Sequence, residues 1–175
     1  MLLGLAVILG AGGYEASRST AWRDPFSDPA VSGYQIIQSL YAIGSGGLWG
    51  LGFGQGRQKY LYLPEEHNDY IFAIACEELG LMGALAILTL YALLILRGYY
   101  IAMHLRDRFL SLMVAGITTL TALQVFFNIG VVTNLLPSTG ISLPFFSYGG
   151  TALLIQLGEM GLVLGASRQC SAGFL

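Results

Sequence analysis

The sequence predicts an all-α fold: a polytopic transmembrane helical bundle of about four full spans plus a partial N-terminal one, with a large outer loop. Three observations predict it. Hydrophobic residue types make up 55% of the 175 residues and charged types 10%, where a soluble domain carries about a quarter charged residues. The charges are also gathered, so that 29–56, 79–96 and 109–158 hold no Asp, Glu, Lys or Arg at all. Mean hydropathy is +0.67, and 24 glycines accompany the apolar excess. Together these exclude a soluble globular enzyme and a disordered chain. Eight Lys and Arg against ten Asp and Glu leave a net charge of −2, so there is no basic face and no nucleic-acid partner is expected. Cys76 and Cys170 lie far apart in apolar surroundings and form neither a metal-site nor a disulfide pattern.

The elements follow in order. Residues 1–13 are apolar but too short to cross a bilayer, and they lack the basic start of a signal peptide; they read as the end of a membrane helix. Residues 31–52 are uncharged but rich in Gly and Ser, and read as a weaker span or a partly re-entrant one. Residues 71–96 read as a full span, because a bilayer core needs about 20 apolar residues and only Glu77 and Glu78 interrupt them. The long uncharged run breaks at Asn134–Gly140, where Pro137 and Gly140 punctuate it. That leaves one span at about 109–133 and another at about 148–166. The whole of 1–175 reads as a single integral-membrane domain.

Cytoplasmic loops are enriched in Lys and Arg. The rule places Arg97, Arg106 and Arg108, with His104, in the cytoplasm, together with Arg168 and, before the first span, Arg18 and Arg23. It leaves 53–69 and 134–147 outside. Arg57 and Lys59 then run against the bias, as if kept outside for chemistry. Gly46, Gly50 and Gly54, like Gly161 and Gly165, are spaced four apart, as are Gln124 and Asn128; small and polar residues at such spacing serve helix packing in lipid. The glycine run 44–56 lacks the Lys-Ser/Thr ending of a phosphate loop and the βαβ setting of a dinucleotide site. Its glycines are expected to let the backbone bend and come close to a neighbour.

The chemistry concentrates in 57–70. Arg57, Lys59, Glu65, Glu66, His67 and Asp69 crowd the mouth of a span. Cations hold phosphate and diphosphate groups, a carboxylate takes a proton from an attacking hydroxyl, and a divalent cation bridges acidic and phosphate oxygens. The set suits a lipid-phosphate substrate lying at the membrane surface. A plainer reading stands beside it: Asp69 or Asn68 caps the following helix, and Arg57 and Lys59 anchor the interface. On a helix, Asp69, Ala73, Glu77 and Gly80 share a face while Glu78 points nearly opposite, and Glu77 lies about 12 Å deeper than Asp69. Glu77 either lines a cavity opening at Asp69 or is structural. Glu159, in the last span, reads as a buried polar contact.

A resemblance adds to this. Asp24-Pro-Phe-Ser-Asp-Pro29, Gly33-Tyr-Gln-Ile-Ile-Gln-Ser-Leu40, Ala42-Ile-Gly-Ser-Gly-Gly47, Gly54-Gln-Gly-Arg-Gln-Lys59, Tyr62-Leu-Pro-Glu65, Asp69-Tyr-Ile-Phe-Ala73, Glu77-Glu-Leu-Gly80, Leu136-Pro-Ser-Thr-Gly140 and Leu143-Pro-Phe-Phe-Ser-Tyr-Gly-Gly150 occur in this order. The chain closely resembles the C-terminal half of the SEDS family (shape, elongation, division and sporulation proteins, including FtsW, RodA and SpoVE), over about 18–168. Arg57-Gln-Lys59 looks more like the FtsW/SpoVE branch. The resemblance implies a peptidoglycan glycosyltransferase. Such enzymes polymerise lipid II at the outer face of the bacterial cytoplasmic membrane, release undecaprenyl pyrophosphate, and work with a class B penicillin-binding protein.

In the family the Asp of a Pro-Glu-x-His-Thr-Asp motif is catalytic. Here the motif reads Pro64-Glu65-Glu66-His67-Asn68-Asp69, so the role falls on Asp69, with Arg57, Lys59, Glu65, His67 and Glu77 as substrate-binding candidates. The expected cofactor is a divalent cation, magnesium or manganese, with no organic cofactor. Asn68 stands for the usual Thr, Thr151 and Ala152 for Ser-Ser, and Asn134 for a Gly; none of these removes an ionisable group. Family members have about ten spans by resemblance, so this chain corresponds to roughly half of one. Two other functions are weighed: a lipid II flippase using Glu77, Gln124, Asn128 and Glu159, and a scaffold that only binds the transpeptidase.

Overall fold

The computed structural model describes residues 22, 34–52, 70–137, 139–146 and 149–172. The described residues form four helices and no strand: α1 (Tyr34–Gly46), α2 (Ile71–His104), α3 (Arg108–Val132) and α4 (Gly150–Ala172). Three helical segments are long and apolar enough to cross a membrane, namely Ile71–His104, Arg108–Val132 and Gly150–Cys170. The 13 residues of α1 reach only about 20 Å, short of a hydrocarbon core of about 30 Å. Of the two readings of 31–52, the structure therefore takes the re-entrant one. After α1 the chain turns through Gly47 and Gly50, both at positive φ, and runs back against α2.

Each boundary has a local cause. Asp107 caps α3, its carboxylate accepting from the Phe109 N–H at 2.9 Å. At the other end of α3, Asn134 adopts φ 58°, a left-handed conformation that Asn tolerates better than most residues. The Leu135 and Leu136 N–H groups then return to the Gly130 carbonyl at 2.8 and 2.9 Å, the type of closure that ends helices. α2 continues past Leu96 to His104. In that last stretch Arg97 lies over the Tyr100 ring at 5.1 Å and His104 stacks on it at 4.1 Å, a cationic and aromatic belt of the kind found where spans leave the bilayer.

Two cores hold the bundle. One joins α1, the first half of α2 and the end of α3 through Ala42, Phe72, Ala73, Cys76, Val125 and Val132. The other joins the far ends of α2, α3 and α4 through Ile101, Ala102, Val114, Val163 and Ala166. Ser39, fully buried on α1, donates to the carbonyls of Ile36 and Val132 and so fastens α1 to the end of α3.

The helix packing expected of Gly161 and Gly165 is not formed among the described residues: a Cβ built on either meets nothing within 4 Å, and both are exposed. Arg18 and Arg23 lie outside the described residues, but Trp22 between them donates its indole N–H to the Asn134 carbonyl at 3.2 Å. Asn134 is at the end of α3 opposite Arg106 and Arg108. Trp22 itself therefore lies by the end of α3 away from Arg106 and Arg108. With α1 re-entrant, three spans satisfy the charge bias: Arg97, Arg106, Arg108 and Arg168 fall on one side.

Candidate functional site

Five of the six site residues expected from the sequence, Arg57, Lys59, Glu65, His67 and Asp69, lie outside the described residues, as does Glu66. The structure describes the base from which their loop departs and returns. The chain enters the loop after Gly52 and rejoins α2 at Tyr70, which is buried. The Tyr70 carbonyl accepts from Ala73 N–H at 3.0 Å, so the first turn of α2 starts at once.

The backbone at the loop's departure point is unusual. Gly80 in α2 has φ 67° and ψ −168°, a conformation essentially confined to glycine, and it breaks the helix. In an unbroken helix the Leu81 and Met82 N–H groups would donate to the carbonyls of Glu77 and Glu78. Instead they donate to the carbonyls of Gly47 and Leu48 at 2.9 and 3.3 Å, while Glu77 and Glu78 accept from Leu51 and Gly52 at 3.0 and 3.1 Å. The turn thus satisfies these four groups at the break. That matters in a membrane, where an unsatisfied backbone group costs several kcal/mol. The approach is backbone to backbone: a Cβ on Gly50 would lie 2.2 Å from the Glu78 carbonyl oxygen, one on Gly80 2.3 Å from Gly50 N, and one on Gly46 2.1 Å from the Cys76 carbonyl oxygen. The expectation that glycines 44–56 bend the chain and bring it close to a neighbour is met at Gly46 and Gly50.

Glu77, the one described site residue, is 1% exposed, and its Cα packs against Gly46. A cavity of about 290 Å³ adjoins this contact and is lined by Ile43, Gly47, Leu48, Cys76, Leu81 and Ala84, without Glu77. Glu78 was expected to point away; it is 8% exposed, because the broken helix and the returning turn cover that side too. One of its carboxylate oxygens has no hydrogen-bond partner among the described residues. The sequence signal for Glu78 was the Glu-Glu-Leu-Gly spacing, which places both carboxylates just before the break.

Depth can be counted. Sixteen residues separate Arg97 from Leu81, just past the break, about 24 Å of helix. With Arg97 at the inner boundary, the break lies a few Å short of the outer boundary of the hydrocarbon, with Glu78 and Glu77 beyond it. Asn128 lies at a similar height on α3, about 28 Å above Phe109.

The second outer segment, 139–146, is also held from below. Asn128 donates to the Ile141 carbonyl at 2.9 Å, Tyr91 donates to the Pro144 carbonyl, and Gln156 accepts from the Phe145 N–H at 2.8 Å. Gln156 stands about 18 Å from Arg168 along α4, so Phe145 dips below the outer boundary, its φ at 66°. Irregular backbone at this depth needs such partners. Tyr91 and Gln156 were missed from the sequence, although a Gln in an uncharged span is the visible clue. Asn128, which the sequence places among the helix-packing residues, also ties down this segment. Glu159 is half-buried on α4, and the buried polar contact expected for it is not formed among the described residues.

The divalent-cation expectation rests on Glu65, Glu66, His67 and Asp69. Their carboxylates are hard oxygen donors that suit magnesium or manganese. Among the described residues no group of three His, Cys, Asp or Glu could hold a metal.

The comparisons with known proteins bear on the same residues. A family model described as "Cell cycle protein", covering FtsW, RodA and SpoVE, matches residues 1–172. The chain is 49% identical to stage V sporulation protein E of Bacillus subtilis, over 95% of this chain and 46% of that protein. It is 45% identical to the peptidoglycan glycosyltransferase MrdB of Escherichia coli, over 93% of this chain and 47% of that protein. The chain spans about half the length of the curated relatives it matches. Among solved structures, a chain 34% identical superposes with a TM-score of 0.69, covering 96% of this chain and 46% of that one. It comes from work described as "Structural coordination of polymerization and crosslinking by a peptidoglycan synthase complex".

Proposed function

The chain belongs to the FtsW/RodA/SpoVE family of cell cycle proteins, and from that premise we propose that it carries the catalytic portion of a peptidoglycan glycosyltransferase. The substrate is lipid II, polymerised into glycan strands at the outer face of the bacterial cytoplasmic membrane. The observation that carries this reading is the acidic motif Pro64–Asp69, which keeps every ionisable group of the family pattern, in a chain 45% identical to a named peptidoglycan glycosyltransferase.

Asp69 acts as general base on the sugar 4-hydroxyl of an incoming lipid II, for which its carboxylate must be ionised. The hydroxyl oxygen attacks the anomeric carbon of the growing strand, with inversion, and undecaprenyl pyrophosphate leaves. Arg57 and Lys59 offset the diphosphate charge, and Glu65, His67 and Glu77 complete the substrate-binding set. A magnesium or manganese ion held by the acidic stretch would supply further charge neutralisation. The partner is a class B penicillin-binding protein, a proposal supported by the solved relative's peptidoglycan synthase complex.

The test is Asp69→Ala in the full-length protein, assayed for conversion of lipid II to polymer without added transpeptidase activity. Polymer formation should fall by about two orders of magnitude or more, with unchanged membrane insertion. Full synthesis by this variant would remove the mechanism. Loss of translocation in Glu77 or Asn128 variants, with Asp69 replaceable, would favour the flippase instead.

A further inference from the structure

The exchange of backbone hydrogen bonds at the break in α2 has a role beyond satisfying polar groups. We infer that it is a clasp that sets the position of the acidic loop, and that Gly50 and Gly80 are positioning residues for the reaction proposed above, on whose assignment of Asp69 this inference rests. The loop 53–69 leaves at Gly52 and returns at Tyr70. Gly52 is bonded to the Glu78 carbonyl, and Tyr70 is the buried first residue before α2. Both ends of the loop are thus held by one helix, eight residues or about 12 Å apart along its axis. Closing a loop between two fixed points removes much of its freedom. A base must be held close to its working geometry, and small misplacements lower turnover.

The clasp depends on glycine at both faces. A Cβ at Gly80 or Gly50 meets partner backbone atoms at 2.3 and 2.2 Å, and backbone cannot rotate out of the way as a side-chain tip can. Alanine at Gly80 would also have to hold φ 67° with ψ −168°, a conformation essentially confined to glycine. Either change drives the 47–52 turn off α2.

A native reporter lies beneath the turn. Cys76 is 6% exposed, its carbonyl oxygen is against Gly46, and it lines the cavity that Gly47 and Leu48 cover. Lifting the turn uncovers this thiol. Cys170 is at the opposite end of the molecule, near His104, and is removed by Cys170→Ser.

The experiment uses the full-length protein with Cys170→Ser in lipid nanodiscs, with maleimide labelling of Cys76 and steady-state kinetics on lipid II. Gly80→Ala and Gly50→Ala are compared with Gly116→Ala, whose added methyl meets nothing within 4 Å. Leu51→Pro is the second route: it deletes the N–H given to Glu77 and puts its ring Cδ where that hydrogen lay, with no change at either glycine, and it carries the test if the glycine variants fail to insert. Cys76 should label about tenfold faster in the clasp variants than in the parent or Gly116→Ala. The turnover number should fall about tenfold or more while KM changes by less than about threefold, as expected when a base is misplaced and substrate binding survives. Cys76 remaining protected in Gly80→Ala and Leu51→Pro would overturn the clasp. So would an exposed Cys76 with unchanged turnover, or a loss confined to KM. Asp69→Ala separates the two readings, since it should abolish turnover and leave Cys76 protected; turnover that survives there defeats the assignment of the base while the labelling still reports on the clasp.

Discussion

Asn128 shows what a polar side chain does at the rim of this bundle. It is 1% exposed near the end of α3, and its amide N–H binds the Ile141 carbonyl at 2.9 Å. Tyr91 and Gln156 make the corresponding bonds to Pro144 and Phe145, so three helices each contribute one polar group to the same segment. Removing one partner leaves a half-buried backbone group without its hydrogen bond, which costs up to about 1–3 kcal/mol. Asn128→Leu should therefore lower the thermal stability of the detergent-solubilised protein by an amount in this range, as should Gln156→Leu, read from unfolding followed by intrinsic fluorescence. Asn128→Leu that melts like the parent would show that the bond contributes nothing.

Between elements, Gly98 of α2 lies close against Thr118 of α3. A Cβ on Gly98 would lie 2.4 Å from the Thr118 hydroxyl oxygen and 2.8 Å from its methyl. Thr118 is buried, and its hydroxyl is bonded to the Val114 carbonyl at 2.8 Å, so it has no free rotamer to adopt. Close approach of small residues is how helices associate in lipid, where the hydrophobic drive is absent. Gly98→Ala should destabilise by about 1–3 kcal/mol through overpacking, and Thr118→Ala in the same protein should recover most of that loss. A double variant no better than the sum of the two singles would place the strain elsewhere.

At the scale of the molecule, three spans and a re-entrant α1 give an odd crossing number for the described helices. The Trp22–Asn134 bonds put Trp22 at the same end as Leu135, away from Arg106. Single cysteines at Thr20, Leu135 and Arg106, in a background lacking Cys76 and Cys170, test this with a membrane-impermeant maleimide applied to intact cells. Positions 20 and 135 should label from outside and position 106 only after permeabilisation. Labelling of position 20 together with 106 would restore a fourth crossing. The packing of α4 belongs to this scale too: it joins the bundle through Val163 and Ala166, while a Cβ on Gly158, Gly161 or Gly165 meets nothing within 4 Å among the described residues.

The sequence by itself determined that this chain is a helical membrane protein and where three of its spans lie, because the bilayer's thickness and low dielectric turn length and absence of charge into structure. Its motifs also determined the family and pointed to the acidic stretch ending at Asp69, since those residues carry their chemistry in their types and order. Only the tertiary structure decided that 34–46 turns back instead of crossing, that Glu78 is buried beside Glu77, and that Tyr91, Asn128 and Gln156 hold a dipping loop. Each of these depends on which backbone groups a distant segment satisfies. Hydrogen bonds between Gly47 and Leu81, or between Trp22 and Asn134, leave no periodicity in the chain, so no local pattern announces them.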